Sequence, residues 1–292
     1  MNWSIIIQII LIGVLLGGIY SLVSVGLTLL FGVVKVVNFA HGEFLMIGMY
    51  ISYWMWQMFD GLDPLISLFV VIPLLFFFGA LIYWTLLRPV IERKDESKIA
   101  LTVGISLIFQ NLALIMFTAN YRVVHTTYSD NVIRTSSGIT VGYPELIAFI
   151  AVILMSVGLG YFLIKTDTGK AMRVVAQDSE MAQLLGIDPN RTYAMAVSLA
   201  IAVAGACGSI IVSYLYVFPL VGSPFTLISF IIVIIGGLGN VKGAFVCGII
   251  VGVTEALGIY FISADSGVML SFILLVLVLI FRPRGLLTKG HI

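Results

Sequence analysis

The sequence predicts an all-α fold, a polytopic bundle of about eight or nine transmembrane helices. Of the 292 residues, 61% are hydrophobic and only 10% are charged, whereas a soluble domain usually carries about 25% charged residues. One globular core of this size cannot cover so much apolar surface. The net charge of +1 provides no basic field for a phosphate backbone. We therefore expect membrane lipid around this chain and no nucleic acid.

Nine apolar tracts divide the chain. The first, residues 1–34, carries no charge and is too long for the core of a signal peptide, so it is predicted to be a retained span. The others cover residues 44–59, 65–87, 99–119, 145–164, 193–217, 225–238, 243–262 and 267–281. The tract 225–238 is short. It is predicted to cross as a short or tilted helix, although Gly236, Gly237 and Gly239 could interrupt it.

The basic residues predict the orientation. Thirteen of the 15 Lys and Arg residues lie at Lys35, in segment 88–98, in segment 165–192, at Lys242, or after residue 281. Because basic residues in short loops stay cytoplasmic, the N-terminus is predicted outside and the C-terminus inside. The outer loop 120–144 can hold a short strand pair or a surface helix, but not a separate core. Residues 1–292 are therefore predicted to form a single transmembrane domain.

The inner loop 165–192 carries signals for short helices. Asp178 is a candidate N-cap, Gly186 a candidate C-terminal glycine, and Asp188 before Pro189 marks the start of the next span. The apolar side chains of this loop share one helix face: Met181, Leu184 and Leu185. Such a face either rests on lipid headgroups or docks a cytosolic partner. The Gly169-Lys170 pair is followed by Ala171, so the P-loop pattern fails and no nucleotide site is predicted in this chain.

A polar stretch, Asn38 to Glu43, separates the first two tracts and contains His41 and Gly42. Within a bilayer such a break is tolerated only where protein or a water-filled cavity satisfies the backbone. One hypothesis makes these residues the lining or gate of a translocation path, with Asn38 and His41 offering hydrogen bonds. The alternative is an interfacial turn in which His41 and Glu43 satisfy each other.

Glu255 is the only charged residue inside the late spans. A carboxylate near the bilayer centre costs about 2.5–3.5 kcal/mol unless it is paired or protonated. It therefore either lines the path or bonds to a neighbouring helix, for which Gln110 and Asn111 are candidates. The three histidines are scattered, and Cys207 and Cys247 lie in apolar tracts. No catalytic set and no metal site is predicted.

Small residues recur at helical spacing in two spans. Gly13 and Gly17 form one pair, and the second set follows the inner loop: Ala196, Ala200, Ala204 and Gly208. Such stripes let helices pack closely. The second stripe also suggests that movement of the inner loop passes into the bundle through a rigid helix.

Several segments together resemble the permease subunits of branched-chain amino-acid ABC importers, over nearly the whole chain. The opening segments are Gly18-Ile19-Tyr20-Ser21-Leu22, Gly26-Leu27-Thr28 and Asn38-Phe39-Ala40-His41-Gly42-Glu43. The later ones are Gly169-Lys170-Ala171-Met172-Arg173 with Asp178, Gly236-Gly237-Leu238-Gly239-Asn240, Glu255-Ala256-Leu257, and Arg282-Pro283-Arg284-Gly285-Leu286. The stretch Asn-Phe-Ala-His-Gly-Glu is the most specific of them.

The resemblance implies a non-enzymatic permease of an ATP-driven importer in the bacterial inner membrane. Its expected partners are a second, similar permease, two cytoplasmic ATPase subunits that use the ATP, and an external substrate-binding protein. It also implies that the inner loop is the coupling segment that docks on the ATPase. The residues expected there are Gly169, Lys170, Arg173, Asp178, Glu180, Met181, Leu185 and Gly186.

Three alternatives remain open from the sequence. The resemblance implies branched-chain or similar amino acids as the substrate, and the alternative within the same class is urea, short amides or other amino acids, which similar family members carry. A different class is a proton-coupled secondary transporter or channel, in which Glu255 or His41 would carry protons. A non-transporting membrane scaffold is the weakest of the three.

Overall fold

A computed structural model describes residues 3–135, 138–264, 266–283 and 285–287. Within these ranges the chain is mainly helical, and the helices are α1 (Trp3–Val34), α2 (His41–Met58), α3 (Pro64–Ile82), α4 (Asp95–Phe117), α5 (Tyr143–Lys165), α6 (Asp167–Gln177), α7 (Ser179–Leu184), α8 (Pro189–Ile211), α9 (Gly222–Gly236), α10 (Val241–Phe261) and α11 (Ser266–Phe281). Helix α3 continues through a π-helical turn, Tyr83–Leu87, and a 3₁₀ turn, Arg88–Val90. Arg284, Lys289 and His291, which the sequence places in the basic tail, lie outside the described residues.

The predicted all-α fold is confirmed. Every apolar tract contains a helix, and six helices are long and apolar enough to cross a membrane: α1, α3 with its continuation, α4, α5, α8 and α10. Helices α9 and α11 are apolar but shorter, so the number of spans stays a prediction. In the outer loop, β1 (Val132–Arg134) and β2 (Thr140–Gly142) form an antiparallel pair, with Ile133 opposite Val141.

Helix α2 begins deep inside the bundle. The Nε2 atom of His41, its first residue, lies 2.9 Å from the carbonyl oxygen of Val23. Val23 precedes the last residue of α1, Val34, by 11 positions, which is about 16 Å of helix at 1.5 Å per residue. The chain therefore leaves α1 at Val34 and returns through a non-helical segment before α2 starts. The break covers residues 35–40, so His41, Gly42 and Glu43 form a helical turn and not the predicted interruption.

Helix α9 also begins in the interior, because the backbone of its first residue, Gly222, lies against Gly42. It ends at Gly236, and Gly237 follows with a φ of +96°. Glycine adopts this left-handed conformation without a steric penalty. The short tract 225–238 is thus a half-helix that starts inside the protein. Helices α2 and α9 are called the half-helices below.

The two half-helices belong to two similarly arranged halves of the chain. Helices α1 and α8 are antiparallel, because Gly26 lies beside Ala200 while Ile19 lies beside Cys207. Helices α2 and α3, which follow α1, both pack on α8, and α9 and α10, which follow α8, both pack on α1. This reciprocal packing has the form of an inverted repeat, an arrangement found in many transporters.

Both predicted small-residue stripes lie at helix contacts. Gly13 and Gly17 on α1 pack against the backbone of α10 around Ile249 and Val253. On α8, the stripe residues Ala196, Ala200 and Ala204 have no exposed surface, and Gly208 approaches the carbonyl oxygen of Leu45 on α2. Helices α1 and α8 therefore form the centre of the bundle, with the half-helices packed on them.

We expect Gly48→Ala to destabilise the bundle by about 1–3 kcal/mol, because an added Cβ would overlap the carbonyl of Gly205 where α2 crosses α8. Gly158→Ala on α5 is the matched control, since no other side chain or distant backbone lies within 4 Å of its Cβ position. The control should unfold at the same temperature as wild type or slightly above it. Thermal unfolding of the purified chain in detergent measures both. Equal midpoints for the two variants would contradict the packing described.

Candidate functional site

The N-termini of the two half-helices meet in the interior. A Cβ atom on Gly42 would overlap the carbonyl oxygen of Gly222, and one on Gly222 would overlap the carbonyl of Gly42. The backbone N–H of Gly42 donates to Thr226 Oγ1 at 2.8 Å, and this hydroxyl donates to the Gly222 carbonyl at 3.3 Å. We call Gly42, Gly222 and Thr226 the half-helix junction. Only glycine on both sides allows the two backbones to come this close.

The junction concentrates positive electrostatic potential. A helix N-terminus carries roughly half a positive charge from its aligned peptide dipoles, and two such ends meet here. The one acidic side chain in the first turn of either half-helix is Glu43. Its position therefore offsets the potential of the two helix ends.

Glu43 is held by two polar side chains of α4, one of which also bonds to α9. Its Oε1 atom accepts from Ser106 Oγ at 3.1 Å and from Gln110 Nε2 at 2.8 Å, both on α4. Gln110 also donates to Ser223 on α9 at 3.1 Å. Only 1% of Glu43 is exposed, and its Oε2 atom has no hydrogen-bond partner among the described residues. One half of the carboxylate is thus satisfied and the other half is not.

His41 and Asn38 have separate partners. The ring of His41 donates from Nε2 to the Val23 carbonyl, which can only accept, while Nδ1 has no partner among the described residues. Asn38 Oδ1 accepts from the backbone N–H of Ala40 at 3.0 Å and so orders the entry to α2. The described hydrogen bonds thus do not include the mutual His41–Glu43 pair of the turn hypothesis.

Glu255 belongs to a different contact from Glu43. Its Oε1 atom accepts from the Tyr20 hydroxyl at 3.1 Å, between α1 and α10. This corrects the expected pairing with Gln110 or Asn111, because Gln110 bonds to Glu43 and Asn111 donates to the Leu107 carbonyl of its own helix at 2.7 Å. The sequence interpretation missed Tyr20 because nothing local marks which of the long, uncharged helices will lie beside α10.

The inner loop forms two short helices with the predicted caps. Asp178 accepts from the backbone N–H groups of Glu180 and Met181 at 2.9 and 3.0 Å, and Asp188 accepts from Asn190 at 2.9 Å to open α8. Gly186 has a φ of +80°. The coupling candidates are therefore arranged on α6, α7 and the turn that follows.

Helix α6 is anchored to the membrane helix before it, whereas α7 is exposed. Gly169 packs on the backbone of Leu163, and Arg173 donates to the Ile164 carbonyl at 3.3 Å. Lys170 forms an exposed ion pair with Asp167 at 2.8 Å, which lowers the pKa of that carboxyl group. On α7 and its end, the exposed fractions of Met181, Leu184 and Leu185 are 57%, 82% and 73%. Apolar side chains this exposed indicate a surface that another molecule covers.

The structure adds site residues that the sequence interpretation did not select: Ser106, Gly222, Ser223 and Thr226. Gln110, which was a candidate partner of Glu255, bonds to Glu43 instead. For the α4 residues a signal exists in the sequence, since Ser106 and Gln110 are polar and lie four residues apart, on one helix face of a mainly apolar tract. Their convergence on Glu43 depends on the position of α9, which local sequence does not specify. In the described part of the chain, no cluster of three or more His, Cys, Asp or Glu residues could hold a metal ion.

Comparison with known proteins matches residues 9–279 to a family described as branched-chain amino acid transport system / permease component. The high-affinity branched-chain amino acid transport system permease protein BraD of Pseudomonas aeruginosa is 28% identical, over 96% of this chain and 95% of its own. The corresponding permease protein LivH of Salmonella typhimurium is 30% identical, over 96% and 94%. A probable branched-chain amino acid transport permease protein LivH of Methanocaldococcus jannaschii is 29% identical, over 91% and 87%. No solved structure gives a significant match.

We expect Thr226→Val to lower the free energy of unfolding by about 1–3 kcal/mol, because the buried N–H of Gly42 then loses its acceptor. Thr226→Ser keeps the hydroxyl and removes only a methyl group, at a cost of about 0.8 kcal/mol. Thermal unfolding of both purified variants in detergent tests this difference. If the valine and serine variants unfold at the same temperature, the hydrogen bond does not stabilise the junction.

Proposed function

The chain belongs to the branched-chain amino acid transport permease family, and from this premise we propose that it translocates branched-chain amino acids in an ATP-driven importer. The resemblance predicted from the sequence motifs is confirmed by this membership. The chain is thus an integral membrane protein, the permease subunit of an amino-acid importer and not an enzyme. The observation that carries the substrate proposal is similarity to named branched-chain permeases along 96% of the chain.

We propose that ATP acts on separate partner subunits and that this chain binds no nucleotide or other cofactor. The proposed complex contains two ATPase subunits, an external substrate-binding protein and a second, similar permease that completes a heterodimer. The exposed apolar face of α7 supports a cytosolic partner. The lipid-headgroup alternative for this loop is less favourable, because the exposed apolar residues of α7 and its end alternate with the exposed acidic Glu180 and polar Gln183.

The proposed orientation in the bacterial inner membrane is an outside N-terminus and a cytoplasmic C-terminus. The basic segments support it, since the loop after α3 and the helices α6 and α7 fall on one side in this arrangement. The outer loop 120–144 and its strand pair then face the binding protein. We propose nine crossings, an odd number that places the two termini on opposite sides of the membrane. All nine belong to a single transmembrane domain.

The proposed translocation path passes the half-helix junction. Of the path and gate candidates, Gly42 lies at the junction, Glu43 beside it, and His41 and Asn38 at the entry to α2. Glu255 is better supported as a structural residue between α1 and α10, because the Tyr20 hydroxyl satisfies one of its oxygens. The loop 165–192 leads directly into α8, on which α2 packs. A shift of α6 and α7 would thus reach the junction through a rigid helix.

The test is uptake of radiolabelled L-leucine by proteoliposomes that contain this chain, the second permease and the ATPase subunits. We expect ATP-dependent uptake only when the loaded binding protein is present outside. The double variant Leu184→Asp/Leu185→Asp on α7 should lose the ATPase subunits during purification and lose uptake. Ile133→Glu, at a half-exposed position of the outer strand β1, is the control and should retain the ATPase.

Two results would contradict this proposal. Uptake by the purified chain alone, driven by a proton gradient, would favour a secondary transporter. Uptake of urea, a short amide or another amino acid in place of leucine would retain the importer and change its substrate.

The orientation predicts which side of the membrane each loop faces. In a chain carrying Thr127→Cys, a membrane-impermeant maleimide added to spheroplasts should label the outer loop, whereas Gln183→Cys on α7 should be labelled only after permeabilisation. Both positions are exposed, and the native Cys207 and Cys247 are buried. The reverse labelling pattern would mean that the sidedness is inverted.

A further inference from the structure

An open cleft lies between α2, α4 and α9, beside the half-helix junction. Its polar end is formed by Glu43, Ser106, Ser223 and Thr226. Its apolar end includes Phe39, Leu107 and Phe230. One cleft thus combines an acidic group, hydroxyl groups and a separate apolar surface.

The polar end lacks a positive charge. None of the ion pairs among the described residues involves Glu43, and its Oε1 atom is bonded only to the neutral donors Ser106 and Gln110. The Oε2 atom has no partner there although it is buried. A buried carboxylate with an unsatisfied oxygen is costly and would bind a cation favourably. A primary ammonium group supplies both a positive charge and N–H donors.

A second subsite for an anion lies at the same end. Helix α9 begins at Gly222, so Ser223 lies in its first turn, where the helix dipole favours a carboxylate. The backbone N–H of Ser223 donates to the Leu220 carbonyl and Pro224 has no N–H, so the donor at this position is the Ser223 hydroxyl, which is exposed in the cleft. An ammonium site and a carboxylate site on adjacent half-helices match the two charges of an α-amino acid.

The apolar end suits a hydrophobic side chain. The rings of Phe39 and Phe230 lie with centroids 5.0 Å apart, and 53% of Leu107 is exposed beside them. A lipid-facing surface requires no hydroxyl or carboxylate groups, and polar groups at this depth are tolerated only next to water or protein. The cleft is therefore better explained as part of an aqueous path than as a surface in contact with acyl chains.

We propose that this cleft is a binding subsite for the transported amino acid, with the ammonium group on Glu43, the carboxylate at the N-terminus of α9, and the branched side chain against Phe39, Leu107 and Phe230. The inference rests on the proposed function. Because Oε2 is covered in this conformation, the ammonium reaches it only when the half-helices separate. Substrate entry and opening of the junction are thereby coupled.

The first test compares Glu43→Gln with wild type in the complete proteoliposome system. Glutamine keeps an acceptor for Ser106 and Gln110 but removes the charge. We expect L-leucine uptake to fall about tenfold or more, while ATPase activity stimulated by the loaded binding protein stays within about twofold, because α6 and α7 are unchanged. Asp95→Asn removes an exposed carboxylate from the first turn of α4 and should retain wild-type uptake.

The second test detects the substrate in the cleft. In a Ser223→Cys chain, saturating L-leucine with loaded binding protein and ATP should slow maleimide labelling about threefold or more relative to the same complex without leucine, and Glu43→Gln should abolish this protection. If the Glu43→Gln variant does not assemble with its partners, the labelling of Ser223→Cys in the otherwise wild-type chain tests the subsite alone. Slower labelling with leucine supports the subsite, and an unchanged rate contradicts it.

The two proposals fail in different ways. A wild-type complex that imports no leucine with ATP and binding protein overturns the proposed function. A wild-type complex that imports leucine, combined with a Glu43→Gln variant of equal uptake or with no protection at Ser223→Cys, overturns only the subsite.

Discussion

The contact between Gly42 and Gly222 is the constraint on which the central architecture depends. In a hydrocarbon environment every backbone N–H and C=O must find a partner inside the protein. A helix that begins at mid-depth leaves its first N–H groups open, and two such helices begin at this point. Their close approach lets Thr226 accept from Gly42 and places Glu43 where the two helix dipoles favour a negative charge. The interior position of the half-helices is therefore possible because two glycines and one hydroxyl residue coincide.

The same contact connects the two halves of the chain mechanically. Helix α2 packs on α8 and helix α9 packs on α1, so each half-helix is supported by the long helix of the other half. A displacement of α8 relative to α1 would move the two N-termini apart, because packed interiors change between discrete arrangements and do not deform smoothly. The inner loop enters this system at Pro189, the first residue of α8. In the proposed importer, a force on α6 and α7 would reach the junction through α8, which follows α7 after the short turn 185–188.

Composition and periodicity predicted the helices well, but they did not predict which side chains of different helices would be in contact. The nine helical tracts, the caps at Asp178 and Asp188, and the turn at Gly186 follow from local rules and are present. The predicted hydrogen-bond partner of Glu255 was wrong. The actual partner, Tyr20, lies more than 200 residues away in the sequence, and any transmembrane helix with a polar side chain was an equal candidate. The break in the chain was placed a few residues late, at Asn38–Glu43, because a Gly-containing polar run is typical of both a loop and a helix start. Whether such a run forms a loop or starts a helix depends on its position in the tertiary structure, which local sequence does not encode.

The two buried carboxylates, Glu255 and Glu43, differ in the kind of helix contact that holds them. Glu255 bonds to Tyr20 between α1 and α10, and this hydrogen bond lies within one continuous interface that glycines of both helices form. Glu43 bonds to α4 and lies beside α9, and these contacts join three helices at the edge of an open cleft. A charge held within one rigid contact adds specificity to the packing. A charge held between separable elements changes its environment whenever they move, and it can therefore respond to a ligand that brings the opposite charge.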